Sequence, residues 1–205
     1  FDIKLNGTTL RIGLVHNISG AKKTSIRITY TDDFKMLVAK GDANVTALAD
    51  VKLGQVTFKC YDNARLFLNA DCSNFTLIAN DKSKIELNLK SEKAAIDVSK
   101  NAQVKALIVS TDLLFDMYQK STAIIEGDVN TLKLRLDNNS DFNGSKLTAV
   151  NTQLFAEAYA NGKINAKTNI VIDIAGKSEI EIFGEPKFEI KRFTDSAALR
   201  KKPIK

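Results

Sequence analysis

Asp62-Asn63-Ala64-Arg65-Leu66-Phe67-Leu68, Asp81-Lys82-Ser83-Lys84-Ile85-Glu86-Leu87 and Lys100-Asn101-Ala102-Gln103-Val104-Lys105-Ala106 are three polar turns, each opening an alternating run, spaced 19 residues apart. The turn recurs at Gln119-Lys120-Ser121 and Asn138-Asn139-Ser140, comes late at Ala160-Asn161-Gly162, and is back in phase at Gly176-Lys177-Ser178. With the small third residue as marker, Ser178 lies six periods of 19 beyond Ala64, so a slip within 145–160 is compensated in the following turn.

Beyond each marker the apolar residues fall in step. One column reads Leu66, Ile85, Val104, Ala123, Phe142, Ile164, Ile180, and the next Leu68, Leu87, Ala106, Ile125, Gly144, Ala166, Ile182. A second strand per repeat supplies Phe58, Leu77, Ile96, Phe115, Leu134, Ala156, Ile172 and then Cys60, Ala79, Val98, Met117, Leu136, Ala158, Ile174. Its leading column is Phe75, Ala94, Leu113, Leu132, Leu154, Ile170. These are period-2 strands with one apolar face.

A 19-residue unit cannot bury that face alone and must stack on copies of itself, so each column becomes a ladder along a coil axis. The expected fold is all-β, a right-handed parallel β-helix with about 19 residues per turn. Roughly nine turns at about 4.8 Å would form a rod on the order of 45 Å. Asn, Asp and Gly at the corners suit the left-handed backbone of a sharp bend. A β-sandwich of hairpins is the alternative, but it has no need of a phase held over six repeats.

The chain has 205 residues, 44% hydrophobic and 26% charged, with 7% aromatics and no Trp, which is globular content suited to a thin interior. It reads as one domain, 1–205: irregular N-terminal capping strands over 1–40, regular coils over 41–190 and a basic C-terminal tail over 191–205. Within 1–40, Leu10–Leu14 and Ile26–Tyr30 read as strands, Asn17–Gly20 as a turn, and Phe34–Val38 as the lead into the coil. Phe188 and Ile190 should close the coil, with Ser196–Arg200 as a short turn or helix against it.

The net charge of +6 is local: residues 187–205 carry seven basic and two acidic side chains, the rest 23 and 22. Such a tail suits phosphate, acidic polysaccharide or an anionic membrane surface, or is simply solvated. Nucleic acid is not an expected partner, since the body has no basic face with interleaved aromatics. No run of about 18 apolar residues offers a membrane span. A start at Phe1 without Met fits a mature form trimmed of an export signal or lipoprotein leader, and membrane association is expected only through such a leader or anchor.

Candidate chemistry is sparse. Asp97 and Asp116 would sit on adjacent rungs of an outward column reading Lys59, Ile78, Asp97, Asp116, Arg135, Glu157, Asp173, close enough to share a proton or hold Ca²⁺. With no second acid pair and no histidine beside them, a solvated ladder is the better reading, and neither catalytic residue, metal nor cofactor is expected. His16, the one histidine, lies in the irregular opening. The corner serines lack the setting of a nucleophile elbow. Cys60 reads as a buried small hydrophobe and Cys72 lies near a corner, so a bridge needs their Cα atoms within about 7 Å. Outward apolar residues suggest a contact surface. Leu114 and Ile124 on one rung beside Tyr118 would form a patch for a partner or for self-association, while Tyr61, Tyr118 and Tyr159, read as one column, could stack on sugar rings.

The closing residues Asn161-Gly162-Lys163-Ile164-Asn165-Ala166, then Gly176-Lys177-Ser178-Glu179-Ile180-Glu181-Ile182-Phe183-Gly184-Glu185-Pro186-Lys187, then Ser196-Ala197-Ala198-Leu199-Arg200-Lys201-Lys202, resemble the end of the auto-transporter adhesin head GIN domain family, found chiefly in Bacteroidetes. The resemblance implies export to the periplasm, outer membrane or cell surface and an adhesive or scaffolding role, and it supplies no catalytic residues. Asp195-Ser196-Ala197 is also similar to a Bacteroidetes O-glycosylation acceptor. The leading expectation is a non-enzymatic envelope protein, a cell-adhesion head whose partner is a glycan or an envelope or host protein. The rivals are a homo-oligomeric scaffold resembling the bactofilins and a polysaccharide-active enzyme using Asp97 and Asp116.

Overall fold

A computed structural model of the chain describes residues 2–13 and 25–203. The chain divides into two compact units, 1–31 and 32–205. In the first, β1 (Asp2–Asn6) and β2 (Thr9–Gly13) form an antiparallel hairpin in which Asn6 faces Thr9. Between them Gly7 adopts φ +59°, the left-handed geometry that lets a two-residue turn follow the strand twist. Ile26–Tyr30, which alternates like a strand, has no regular structure, and no strand among the described residues pairs with it. His16 and the expected turn at Asn17–Gly20 lie outside the described residues.

The second unit is a parallel β-solenoid of about nine turns. Short strands β3 (Met36–Ala39) and β4 (Asn44–Thr46) begin it, followed by β5 (Val51–Cys60), β6 (Arg65–Ala79), β7 (Lys84–Val98), β8 (Gln103–Met117), β9 (Thr122–Leu136), β10 (Asp141–Ala156) and β11 (Asn161–Ile174). From β5 to β9 every paired residue lies 19 from its partner, as in Leu66↔Ile85, Ile85↔Val104 and Val104↔Ala123. The first coil is wider: Asn44 pairs with Arg65 and Met36 with Thr57, each 21 apart.

Each long strand is two alternating segments joined by a bend. Two consecutive residues face outward there, such as Thr111-Asp112 between buried Ser110 and Leu113, and pairing skips Glu92 and Thr111. The sharper corner follows the second segment. There every coil has a left-handed φ, at Gly41, Asp62, Asp81, Lys100, Gln119, Asn138, Ala158, Gly176 and Asp195, and three coils have a second, at Asn101, Lys120 and Asn139. Gly, Asn and Asp tolerate this geometry best, and the stacked coils impose it on lysine, glutamine and alanine as well. The marker residues next to it, Ala64, Ser83, Ala102, Ser121, Ser140, Ala160 and Ser178, are fully buried, which explains their small size.

Between 140 and 178 the ladders differ from the sequence reading by two residues. Ala160, not Gly162, is the marker, so the first column continues Phe142, Gly162, Ile180 and the second Gly144, Ile164, Ile182. In the second segment the ladder members are Thr152, Leu154 and Ala156 rather than Leu154, Ala156 and Ala158. A bulge after Asn143 lengthens β10, and a shortened β11 takes up the difference. An error of two residues keeps every side chain on its correct face, so alternation alone does not reveal it. Packing does. A Cβ on Gly144 would lie 2.5 Å from the Phe142 ring, and one on Gly162 would lie 2.9 Å from Leu136 Cδ1. Gly144 makes room for the large Phe142 ring, which meets Phe115 edge-on at 5.4 Å, and Gly162 makes room for Leu136 and Ile180.

The coil runs past residue 190. β12 (Glu179–Phe183) is followed by β13 (Lys187–Phe193), which pairs with β11, and β14 (Ala198–Lys202), which pairs with β12. Where the sequence suggested a turn or helix, Ala198–Arg200 is strand. Its basic residues meet acids of the coil before it: Arg192 with Asp173 at 2.5 Å, Arg200 with Glu179 at 2.8 Å and Lys202 with Glu181 at 3.4 Å. Lys201 pairs with Glu185 as well. Most of the basic excess near the C-terminus thus lies opposite carboxylates of this chain rather than forming a free anionic-partner site.

Cys60 and Cys72 are both free and buried. Burial pushes both thiols up to about 11, with the Asp71 charge adding to the effect at Cys72. They serve as small core residues.

Candidate functional site

The outward face of the second segments carries the densest side-chain chemistry. Register sets its central column as Ile78, Asp97, Asp116, Arg135, Phe155, Asp173 and Arg192. Phe155 stands where the sequence reading placed Glu157, through the same two-residue correction. The Arg135 guanidinium lies 5.2 Å from the Phe155 ring centre and 5.4 Å from that of Tyr118, and Arg192 covers Phe155 at 5.4 Å. Each contact is a cation on an aromatic face. Around them is an open depression of about 300 Å³ bordered by Leu114, Asp116, Lys133 and Asp173.

Asp97 and Asp116 are direct partners on neighbouring strands. Burial holds the Asp97 carboxyl above its ordinary range, and the Asp116 charge adds to it. Burial also raises Asp116, while Arg135 on its other side pulls it back. Tyr118 is raised by burial and then by the Asp116 charge. Among the described residues no group of three or more His, Cys, Asp and Glu side chains could hold a metal ion.

The other candidates are not brought together. Tyr61 and Tyr118 share a column three coils apart, which strand spacing makes about 14 Å. Tyr159 is not in that column; it follows the left-handed Ala158 at the corner, and its ring is 54% exposed. All three rings carry cations of this chain: Lys40 on Tyr61 at 5.4 Å, Arg135 on Tyr118 at 5.4 Å, and Lys177 on Tyr159 at 5.3 Å. Leu114 and Ile124, 43% and 47% exposed, belong to different strands on either side of the Tyr118–Ser121 corner. Leu114 pairs with Ala95 and Lys133, and Ile124 with Lys105 and Asn143, so the expected shared patch is absent. The Arg135–Phe155 stack went unread because the slip hid Phe155 from the column.

A parallel solenoid with charged and aromatic columns along its outer face defines the β-helical class of protein. The chain belongs to the family described as "Putative auto-transporter adhesin, head GIN domain", whose model matches residues 1–186. The match takes in the opening strands and stops short of Ser196–Lys202. Membership implies an exported or surface-exposed, adhesin-like protein. Searches of curated proteins and of solved structures returned no match.

Proposed function

We propose that this chain is the non-enzymatic head of an adhesin in the periplasm, outer membrane or cell surface, binding a protein partner through the second-segment face around Arg135. The observation that supports it most is the stacked row of Tyr118, Arg135, Phe155 and Arg192, with guanidinium groups held over aromatic rings on a flat sheet. Arginine and aromatic residues held rigid before binding lose little entropy on contact and dominate binding energy at protein interfaces. A sugar stacking on this face would first have to displace the cations, which favours protein over glycan here. Asp97 and Asp116 stand side by side along a ladder, whereas glycoside hydrolysis needs two carboxyl groups flanking the scissile bond.

The test is a binding screen of the purified domain against envelope proteins and a glycan panel, beside light scattering over a wide concentration range. Saturable binding of one protein by the monomer, lost in Arg135→Glu, is the expected result. Shortening of any polysaccharide during the assay would refute the non-enzymatic reading. End-to-end self-assembly is favoured by a separate observation. Phe188 and Ile190 extend the core ladders of Ile170 and Ile172 yet are 39% and 54% exposed. It requires particle mass to rise with concentration.

A further inference from the structure

The sharp corner carries a second surface that the adhesin reading leaves unused. Along four successive coils runs an open groove of about 580 Å³, bordered by Lys82, Lys100, Gln119, Lys120 and Asn138 among others. At this corner the fold repeatedly places a carboxylate on the backbone N–H of the left-handed residue. Gly41 N–H donates to Asp62 Oδ2 at 2.8 Å, Asp62 N–H to Asp81 Oδ2 at 3.3 Å, and Gly176 N–H to Asp195 Oδ2 at 3.1 Å. In each case the acceptor comes from the equivalent residue one coil further on. At two coils where the next residue is not an aspartate, a neighbour substitutes: Asp81 N–H donates to Asn80 Oδ1 and Asn138 N–H to Asp137 Oδ1, both at 2.7 Å.

Lys100, Gln119 and Ala158 break this pattern, and of these Lys100 and Gln119 border the groove. Both are exposed and left-handed, at φ 52° and 53°, and the residues one coil on are Gln119 and Asn138. Neither supplies an oxygen, and among the described residues no acceptor meets the Lys100 or Gln119 N–H. The two donors lie one coil apart, about 4.8 Å by strand spacing. Three lysines border the groove, its single carboxylate, Asp81, is 3.8 Å from Lys100 Nζ, and among the described residues neither Lys82 nor Lys120 has an ion pair. Turn amides beside cationic side chains form the concave donor sets that hold anions. The three aspartate contacts above show a carboxylate meeting the N–H of the left-handed residue at other coils of this corner.

We propose that the groove binds the carboxylate groups of an acidic, uronate-type glycan, with the Lys100 and Gln119 N–H groups as hydrogen-bond donors and Lys82 and Lys120 as counter-charges. Two donors repeating along an open groove suit a linear polymer better than a single small anion. Its biological sense rests on the proposed adhesin role, but it uses a different face, so the two fail separately.

The decisive variant is Gln119→Asp. It places at 119 the residue that occupies the left-handed position at Asp62, Asp81 and Asp195, and offers Lys100 N–H an internal carboxylate. The measurement is an amide NMR titration of the whole chain with trigalacturonate, with maltotriose and inorganic sulfate as comparison probes. Expected are saturable shifts of the Lys100 and Gln119 amides with trigalacturonate and none with maltotriose. Affinity should weaken about tenfold in Gln119→Asp at an unchanged melting midpoint, and about threefold in Lys120→Ala, which keeps the result readable if the aspartate variant folds poorly. No shift at these amides, or equal affinity in both variants and the parent, would overturn the proposal. Sulfate acting as strongly as the trisaccharide would overturn the assignment to a glycan. Loss of corner binding while Arg135-dependent protein binding persists would remove this inference alone.

Discussion

Replacing Gly127 by alanine probes the stacking of adjacent coils at one atom. Gly127 lies in β9 at φ +119° and pairs with Ile108 of β8. A Cβ there would fall 2.1 Å from the Ile108 carbonyl oxygen and 2.8 Å from its carbon. The obstacle is backbone, so no rotamer change relieves it, and the two coils must separate locally. An alanine in this region of φ costs about 1–3 kcal/mol, and forcing apart a packed neighbour costs about 1–3 kcal/mol more. The expected loss of about 2–6 kcal/mol is a large share of the roughly 5–15 kcal/mol stability of a typical domain. Gly54 is the internal control. Its φ is not in the left-handed range and a Cβ would meet nothing within 4 Å, so Gly54→Ala should be neutral or stabilising by about 0.4–1 kcal/mol. Urea unfolding gives the totals. Amide exchange locates the effect, which should centre on β8 and β9 because each coil contacts only its neighbours. A Gly127→Ala protein within about 0.5 kcal/mol of the parent, or equal destabilisation by Gly54→Ala, would refute the reasoning.

Thr152 is buried in an apolar ladder with its hydroxyl unpartnered, so Thr152→Val should stabilise the chain by about 1 kcal/mol in urea unfolding. With both thiols pushed up to about 11, roughly one in a thousand is ionised at pH 8, and alkylation of Cys60 and Cys72 should be negligible until denaturant is added. Because the folded state raises Asp97, stability is lost as pH climbs from the ordinary carboxyl range through the raised value, and the deficit is complete at neutral pH. Asp97→Asn removes the like-charge partner of Asp116 and should gain about 0.2–1 kcal/mol at pH 7. That gain should vanish below the ordinary carboxyl value of 3.8, and a gain persisting in acid would show that charge is not its source.

Most of the solenoid was legible because a 19-residue phase and a two-residue alternation are both properties of composition along the chain. Strand faces follow from alternation, and corners from Asp62, Asp81, Asn138 and Gly176, residues that accept a left-handed backbone. The register of β10 and β11 was not legible, since a two-residue offset preserves alternation and only packing, Phe142 against Gly144 and Leu136 with Ile180 against Gly162, distinguishes the alternatives. The same offset hid Phe155 from the column of Arg135 and brought Glu157 into it. The C-terminal coil was obscured by its charge: Arg192, Arg200 and Lys202 look like a solvated tail until Asp173, Glu179 and Glu181 are seen one coil below. The corner groove is harder still to read, because its donors are backbone N–H groups and its signal is the absence of aspartate at 100 and 119.

The proposed binding role is tested most directly by titrating the domain with a protein selected in the binding screen, comparing the parent chain with Arg135→Glu and with Tyr159→Ala. The first replaces the cation held between Tyr118 and Phe155, and the second removes an exposed ring outside that face. Binding at least about tenfold weaker in Arg135→Glu, unchanged in Tyr159→Ala, with both variants melting like the parent, is the expected outcome. Full affinity in Arg135→Glu would contradict the assignment of this face as the adhesive surface.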